Sequence, residues 1–188
     1  MKFFKYLLGI IAFLLIGFLA MGFFTPEVSY DCDIVVDKPL EESWAVSQDP
    51  EKIGEWLSGF QKIEHISGTP GTVGAVSDFY FSTDGQEMVI RETINEIVAN
   101  ESVSMFFTTE FMNMDYTLNM ASIDGKTKIS SSTTTTGNSL ISKSIMALVA
   151  SSIKAQEETN LDLLKKTIEN NSKDYFPVEE ILTESTED

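Results

Sequence analysis

Residues 139–170, SLISKSIMALVASSIKAQEETNLDLLKKTIEN, decide how the rest of the chain is read. Ser139, preceded by Asn138 and the polar run Ser130–Gly137, offers a side-chain oxygen to cap a helix start. Ile141, Ile145, Leu148, Val149 and Ile153 recur at steps of three and four and form one apolar stripe. A polar interval from Gln156 to Asn160 interrupts it, and the stripe resumes, rotated, at Leu161, Leu164 and Ile168. At about 1.5 Å per residue this helix runs roughly 45 Å, farther than one strand can cover. It must lie across a whole sheet, and nearly everything before it reads as strand.

Moving outward toward the amino end, five segments alternate or carry β-branched residues: Ala75–Ser82, Glu87–Ile97, Ser102–Thr109, Met112–Ile123 and Lys126–Thr136. Short turns join them, Thr83-Asp84-Gly85 and Asp124-Gly125 among them, which predicts an antiparallel meander. The glycine-rich Gly68–Gly74 turn lacks the lysine and following helix of a phosphate loop, so it reads as punctuation between strands. Phe60–Ile66 is one more strand. Before it, Pro39 opens a short helix through Trp44 and Val46, and Asp49-Pro50-Glu51 is expected to cap a second one carrying Ile53, Trp56 and Leu57. Val28, Tyr30, Cys32, Ile34 and Val36 alternate with Ser29, Asp31 and Asp33, the period of a half-buried first strand.

At the outer ends the chain changes character. Lys2 and Lys5 precede a charge-free run from Tyr6 to Pro26, long enough as a helix to cross a hydrocarbon core. Basic residues before this run and none directly after it place the amino end in the cytoplasm and the domain in a periplasmic or extracellular space. A signal peptide cleaved after Ala20-Met21-Gly22 is the competing reading. Residues 1–26 are thus a membrane anchor or signal peptide, residues 27–171 one domain, and residues 172–188 an acidic, solvated tail.

The exclusions are firm. The 188 residues have a formal charge of −16 and Arg91 as their sole arginine, which disfavours nucleic acid as a partner. One cysteine, Cys32, and one histidine, His65, rule out an internal disulfide and a Cys/His zinc site. No cofactor or metal is expected, no catalytic signature stands out, and nothing fixes the oligomeric state.

The order is strand, two short helices, a curved antiparallel run and a closing helix. It resembles the SRPBCC superfamily of helix-grip proteins, near its polyketide cyclase/dehydrase-like branch. The likeness covers roughly Val28 to Asn170 and rests on the Pro39–Trp44 opening, Asp49-Pro50-Glu51 leading to Trp56, the Gly68/Gly71/Gly74 turn, and Asn160–Lys165 in the last helix. It implies an α+β fold, a curved sheet of six to seven strands around a long carboxyl-terminal helix, with an apolar cavity between them. Members bind lipids, sterols, quinones or polyketides, and a minority catalyse cyclisation or dehydration.

Strand phase nominates the walls of that cavity: Phe79, Met88, Ile90, Met105, Phe107, Tyr116 and Leu118 share one face, and helical phase turns Ile145 and Val149 toward it. Methionines suit a pocket that adapts to varied apolar ligands, although ordinary core filling explains any one of them equally well. Ser131, Thr133 and Thr135 add hydroxyls on an adjacent wall. Glu92 shares the apolar face, either as an internal anchor for a ligand's polar end or as a residue that a bulge releases to solvent. Arg91 falls out of phase and is expected to point outward. Three functions stay open: a membrane-tethered carrier of a hydrophobic small molecule or lipid, a cyclase/dehydrase-type enzyme using Glu92 or Tyr116, and an interaction module with a collapsed cavity.

Overall fold

Alternating side chains in the strands and a 3.6-residue period in the helices build the expected elements, almost to the residue. The computed structural model describes residues 2–83 and 85–177; Asp84 of the second hairpin turn lies outside them. The elements are α1 (Lys2–Phe24), β1 (Glu27–Val36), α2 (Leu40–Ser47), α3 (Ile53–Trp56), β2 (Phe60–Ser67), β3 (Val76–Thr83), β4 (Gln86–Val98), β5 (Ser102–Thr108), β6 (Met112–Ile123), β7 (Lys126–Gly137) and α4 (Leu140–Glu169). Seven strands form one antiparallel sheet in the order β1-β7-β6-β5-β4-β3-β2. The meander therefore runs unbroken from β2 to β7, and β1 closes onto β7.

Ser139 caps α4 as expected, its Oγ accepting the Ser142 N–H at 3.0 Å. The last turns of the helix supply the densest packing. Leu161, Leu164 and Ile168 are fully buried against Val36, Val46, Val103, Leu118, Met120 and Ile129. Burying each such side chain stabilises the fold by about 1.5–3 kcal/mol. Lys165 Nζ donates to the Val35 carbonyl at 2.7 Å, which occupies part of the free edge of β1. Trp44 and Trp56 pack on the rim of this core, as core residues fastening the two short helices.

Two expectations change on contact with the structure. Asp49 does not cap α3, which begins only at Ile53 after Lys52. Its carboxylate instead accepts the Glu51 N–H at 2.9 Å, Lys173 Nζ at 2.8 Å and the Tyr175 hydroxyl at 2.6 Å. Burial alone would raise the Asp49 pKa, but these three hydrogen bonds outweigh it and hold the group at about 2. Residues 172–177, expected in the acidic tail, are thereby fastened across the α2–α3 loop; residues 178–188 lie outside the described residues.

The second change concerns the amino-terminal half of α4. Ile141, Ile145 and Leu148 of the expected stripe are 58%, 42% and 56% exposed. Stepping back in helical periods from the buried Leu161, Leu164 and Ile168 puts Glu157, Ile153, Ala150 and Met146 toward the sheet, whereas Ile145 lies about 120° round from Glu157. This half of α4 meets α1. Gly22 is buried there, and a Cβ on it would fall 2.4 Å from Ser144 Oγ and 2.6 Å from the Leu140 carbonyl, so only glycine permits the approach. The rest of α1 toward its amino end is exposed and strongly apolar, long enough to cross a membrane or to serve as a signal sequence.

Candidate functional site

Residues paired across antiparallel strands share a face, so register alone assembles the concave surface in rows. One row runs Tyr30, Thr133, Tyr116, Met105, Ile94 from β1 to β4. The next runs Val28, Thr135, Met114, Phe107, Glu92, Ser77. Phe79 faces Ile90, and Phe81 faces Met88, toward the β3–β4 turn. The seven nominated strand residues thus lie on one face. Phe107 and Tyr116 meet edge to face with ring centres 6.2 Å apart.

Packing does not fill this side of the sheet. Leu118 and Phe79 are buried, but Ile90, Ile94, Met105, Phe107, Met114 and Tyr116 keep accessible surface although they point inward. Met88 is 48% exposed and marks the rim. The roof is α4, whose closest approach is to β1 and β7. Val149 is half-buried at its side, and the outward-turned Ile145 does not join the nominated wall.

Polar groups punctuate the apolar surface at two places. The Tyr116 hydroxyl donates to Glu157 Oε1 of α4 at 2.8 Å, bridging sheet and helix. Burial pushes the Glu157 pKa up; Tyr116 and Ser131 beside it ease the charged form without reversing the shift. Burial, with the Glu157 charge behind it, drives the Tyr116 phenol well above its ordinary range. Tyr30 alongside is raised to about 12, again chiefly by burial. Two strands away, Glu92 is raised to about 7 by burial alone. The bulge in β4 falls between Ile94 and Glu96 and leaves the phase of Glu92 unchanged, so it does not turn that side chain out to solvent.

On β7, the hydroxyls of Ser131, Thr133 and Thr135 are buried and close no full hydrogen bond; Ser131 lies beside Glu157 and Tyr116, and Thr133 beside Tyr30, short of full bonding geometry. Sequence reasoning picked out these hydroxyls, Glu92 and Tyr116, but missed Glu157 and Tyr30. Glu157 was concealed inside the polar interval 156–160. Counting back four from Leu161 is the signal that would have found it.

The remaining candidates face elsewhere. Arg91 points to the other side of the sheet and grips Asp78 with two bonds of 2.7 and 2.8 Å. His65 is exposed near the end of β2, its Nε2 2.9 Å from the Gly68 carbonyl. An outer cleft of about 390 Å³ between β1 and α4 is lined by Asp31, Asp33, Lys154, Glu158 and Asp162, and its polar walls suit water better than an apolar ligand. Among the described residues, no group of three or more His, Cys, Asp or Glu side chains could hold a metal ion.

The family model described as polyketide cyclase / dehydrase and lipid transport matches residues 27–169. Solved structures share the fold at low identity. The protein designated Ara h 8.0201 superposes with a TM-score of 0.63 at 15% identity, over 77% of this chain and 99% of that one. The Zhui aromatase/cyclase from Streptomyces sp. R1128 gives 0.64 at 11% identity, over 76% and 94%. The di-domain ARO/CYC StfQ from the steffimycin biosynthetic pathway gives 0.63 at 11%, over 77% of this chain and 52% of that one. No curated protein sequence matches the chain.

Proposed function

From the premise that this chain belongs to the polyketide cyclase/dehydrase and lipid transport family, we propose that it is a binding protein for a hydrophobic small molecule or lipid. The ligand lies between the concave face of the sheet and α4, and α1 tethers the domain to a membrane. The observation that carries this reading is the unfilled concave face, where aromatic and methionine side chains point inward yet keep accessible surface. A solid core would have closed over them, because protein interiors pack to crystal-like density. Phe79, Ile90, Met105, Phe107 and Tyr116 are its proposed walls, with Met88 at the rim, Leu118 at its base and Val149 flanking. Glu92 is the proposed contact for the ligand's polar end.

An enzyme reading has one observation in its favour: the half-buried Tyr116–Glu157 pair supplies a proton donor and acceptor inside the same space. Two of the similar structures are aromatase/cyclases by name. The carrier reading is preferred because the face is predominantly apolar, and Tyr116, Glu157 and the neighbouring Ser131 are accounted for as a polar bridge between sheet and helix.

The test is mass spectrometry of small molecules that co-purify with the detergent-extracted full chain. Wild type is expected to carry an apolar species in near-stoichiometric amount. Met105→Trp fills the space beside Tyr116 at an overpacking cost of about 1–3 kcal/mol and should remove that species while the protein still melts cooperatively. Equal ligand content in a folded Met105→Trp protein would argue that the molecule binds elsewhere.

A further inference from the structure

The concave face is selective about charge. We propose that the ligand's polar end is uncharged or cationic, an alcohol, ketone or amine, and that carboxylates and phosphates are excluded. This deepens the binding reading above and rests on it.

Three observations converge. The two ionisable acids on the ligand-facing side, Glu92 on β4 and Glu157 on α4, have no cation beside them. The nearby bases are engaged elsewhere: Arg91 holds Asp78 on the opposite face, Lys154 lies 3.7 Å from Glu158 at the β1 edge, and Lys165 bonds the Val35 carbonyl. An anionic head placed here would meet a carboxyl with nothing to offset its charge, in a site where water is largely displaced.

Independently, Ser131, Thr133 and Thr135 are 1%, 3% and 1% exposed, and none of their hydroxyls closes a full hydrogen bond, although Ser131 stands beside Tyr116 and Glu157 and Thr133 beside Tyr30. Buried hydroxyls without partners are uncommon in folded proteins, and Thr135, whose register neighbours are Val28 and Met114, calls for a missing partner. By register Thr133 lies between Tyr30 and Tyr116, and Thr135 lies in the row that ends at Glu92 and Ser77. A hydroxyl both donates and accepts, so this column serves an alcohol or a ketone directly. A protonated Glu92 donates to a ketone, and an ionised one accepts from an ammonium. The same groups therefore serve each member of the class, and Glu92 and Glu157, where ionised, repel an anion. The raised proton affinity of both acids comes from burial, which no neighbouring cation offsets.

Three clickable diazirine probes of equal alkyl length, ending in an alcohol, an amine or a carboxylate, test the inference on the full chain in detergent at pH 8. After photolysis, peptides from β4–β6 report the site. Peptides from the exposed α1 report how much probe the micelle holds. The alcohol and amine are expected to give a site-to-α1 ratio about tenfold above that of the carboxylate, equivalent to about 1.4 kcal/mol. Glu92→Gln and Glu157→Gln, singly and together, should narrow the gap by admitting the carboxylate; melting curves confirm that each variant is folded. Equal ratios for all three probes in wild type would overturn the charge selection and leave the binding reading standing. A gap unchanged in folded variants would overturn the role of these two acids. No labelling of β4–β6 by any probe would instead overturn the binding reading itself, and this inference with it.

Discussion

Glu92 sits in mid-strand, with Phe107 and Ser77 as its neighbours across the sheet, and holds its proton up to about pH 7 because burial penalises the charge. An unfolded glutamate releases the proton near pH 4.3. Between those values the native state binds more protons than the unfolded state, so stability falls as pH rises through this window and levels off above it. The loss is at most about 3 kcal/mol from this group. Glu92→Gln should remove it: the variant is expected to gain melting temperature over wild type at pH 8 and to match it at pH 4. An unchanged difference between the two pH values would show that Glu92 reaches water. Glu157 is held differently, by the Tyr116 hydroxyl at 2.8 Å. Tyr116→Phe should cost about 1–3 kcal/mol by leaving a buried carboxyl without its donor. Combining it with Glu157→Leu should cost less than the two single losses added, which a double-mutant cycle on thermal melts would read directly.

The contact between α1 and α4 turns on Gly22, where a side chain would run into Ser144 and the Leu140 carbonyl. Gly22→Leu is expected to part the two helices and to speed amide exchange over residues 140–150 by about tenfold, measured by hydrogen–deuterium exchange in detergent. Gly9→Leu, where a Cβ meets nothing within 4 Å, should leave that exchange unchanged. The same contact explains where the sequence misled. The strands were legible to within a residue or two because a period of two admits no other reading, and the span of α4 was legible from Ser139 and its periodicity. The facing of Ile145 was not. Its stripe spans the half of α4 that meets α1, more than a hundred residues away, and nothing local says that this half answers to a helix rather than to the sheet. For the proposed site, the shared face of the strand residues and of the β7 hydroxyls followed from strand phase. Glu157 did not, because an acid in a polar interval looks like a solvated turn of helix until the core residues on either side fix its direction. Asp49 misled for a related reason. Its local signal is a cap, and only Lys173 and Tyr175, far along the chain, reveal it as a clamp.

At the scale of the whole molecule, a chain with a formal charge of −16 carries one apolar helix, Phe3–Phe24, with a mean hydropathy of 2.7. The two parts prefer different surroundings. The acidic domain gains nothing from an anionic membrane surface, so the proposed membrane association rests on α1 alone. Helix α4 joins the two physically: its first turns rest on Gly22, and its last turns form the core under α2. Lys2 and Lys5 lie before the apolar run, and the next base is Lys38, beyond β1. If α1 is the proposed tether, that asymmetry predicts an amino end in the cytoplasm and the domain on the far side. A reporter that matures only outside the cytoplasm, fused after Asp188, is expected to be active, and one that works only in the cytoplasm is expected to be silent. Replacing Lys2 and Lys5 by Glu should lower the first signal, because the orientation depends on those two charges. Alkaline carbonate should leave the protein with the membrane pellet if α1 is retained. A soluble mature protein beginning near Phe23 would show that α1 is removed, and the Gly22 contact with α4 would then describe the precursor alone.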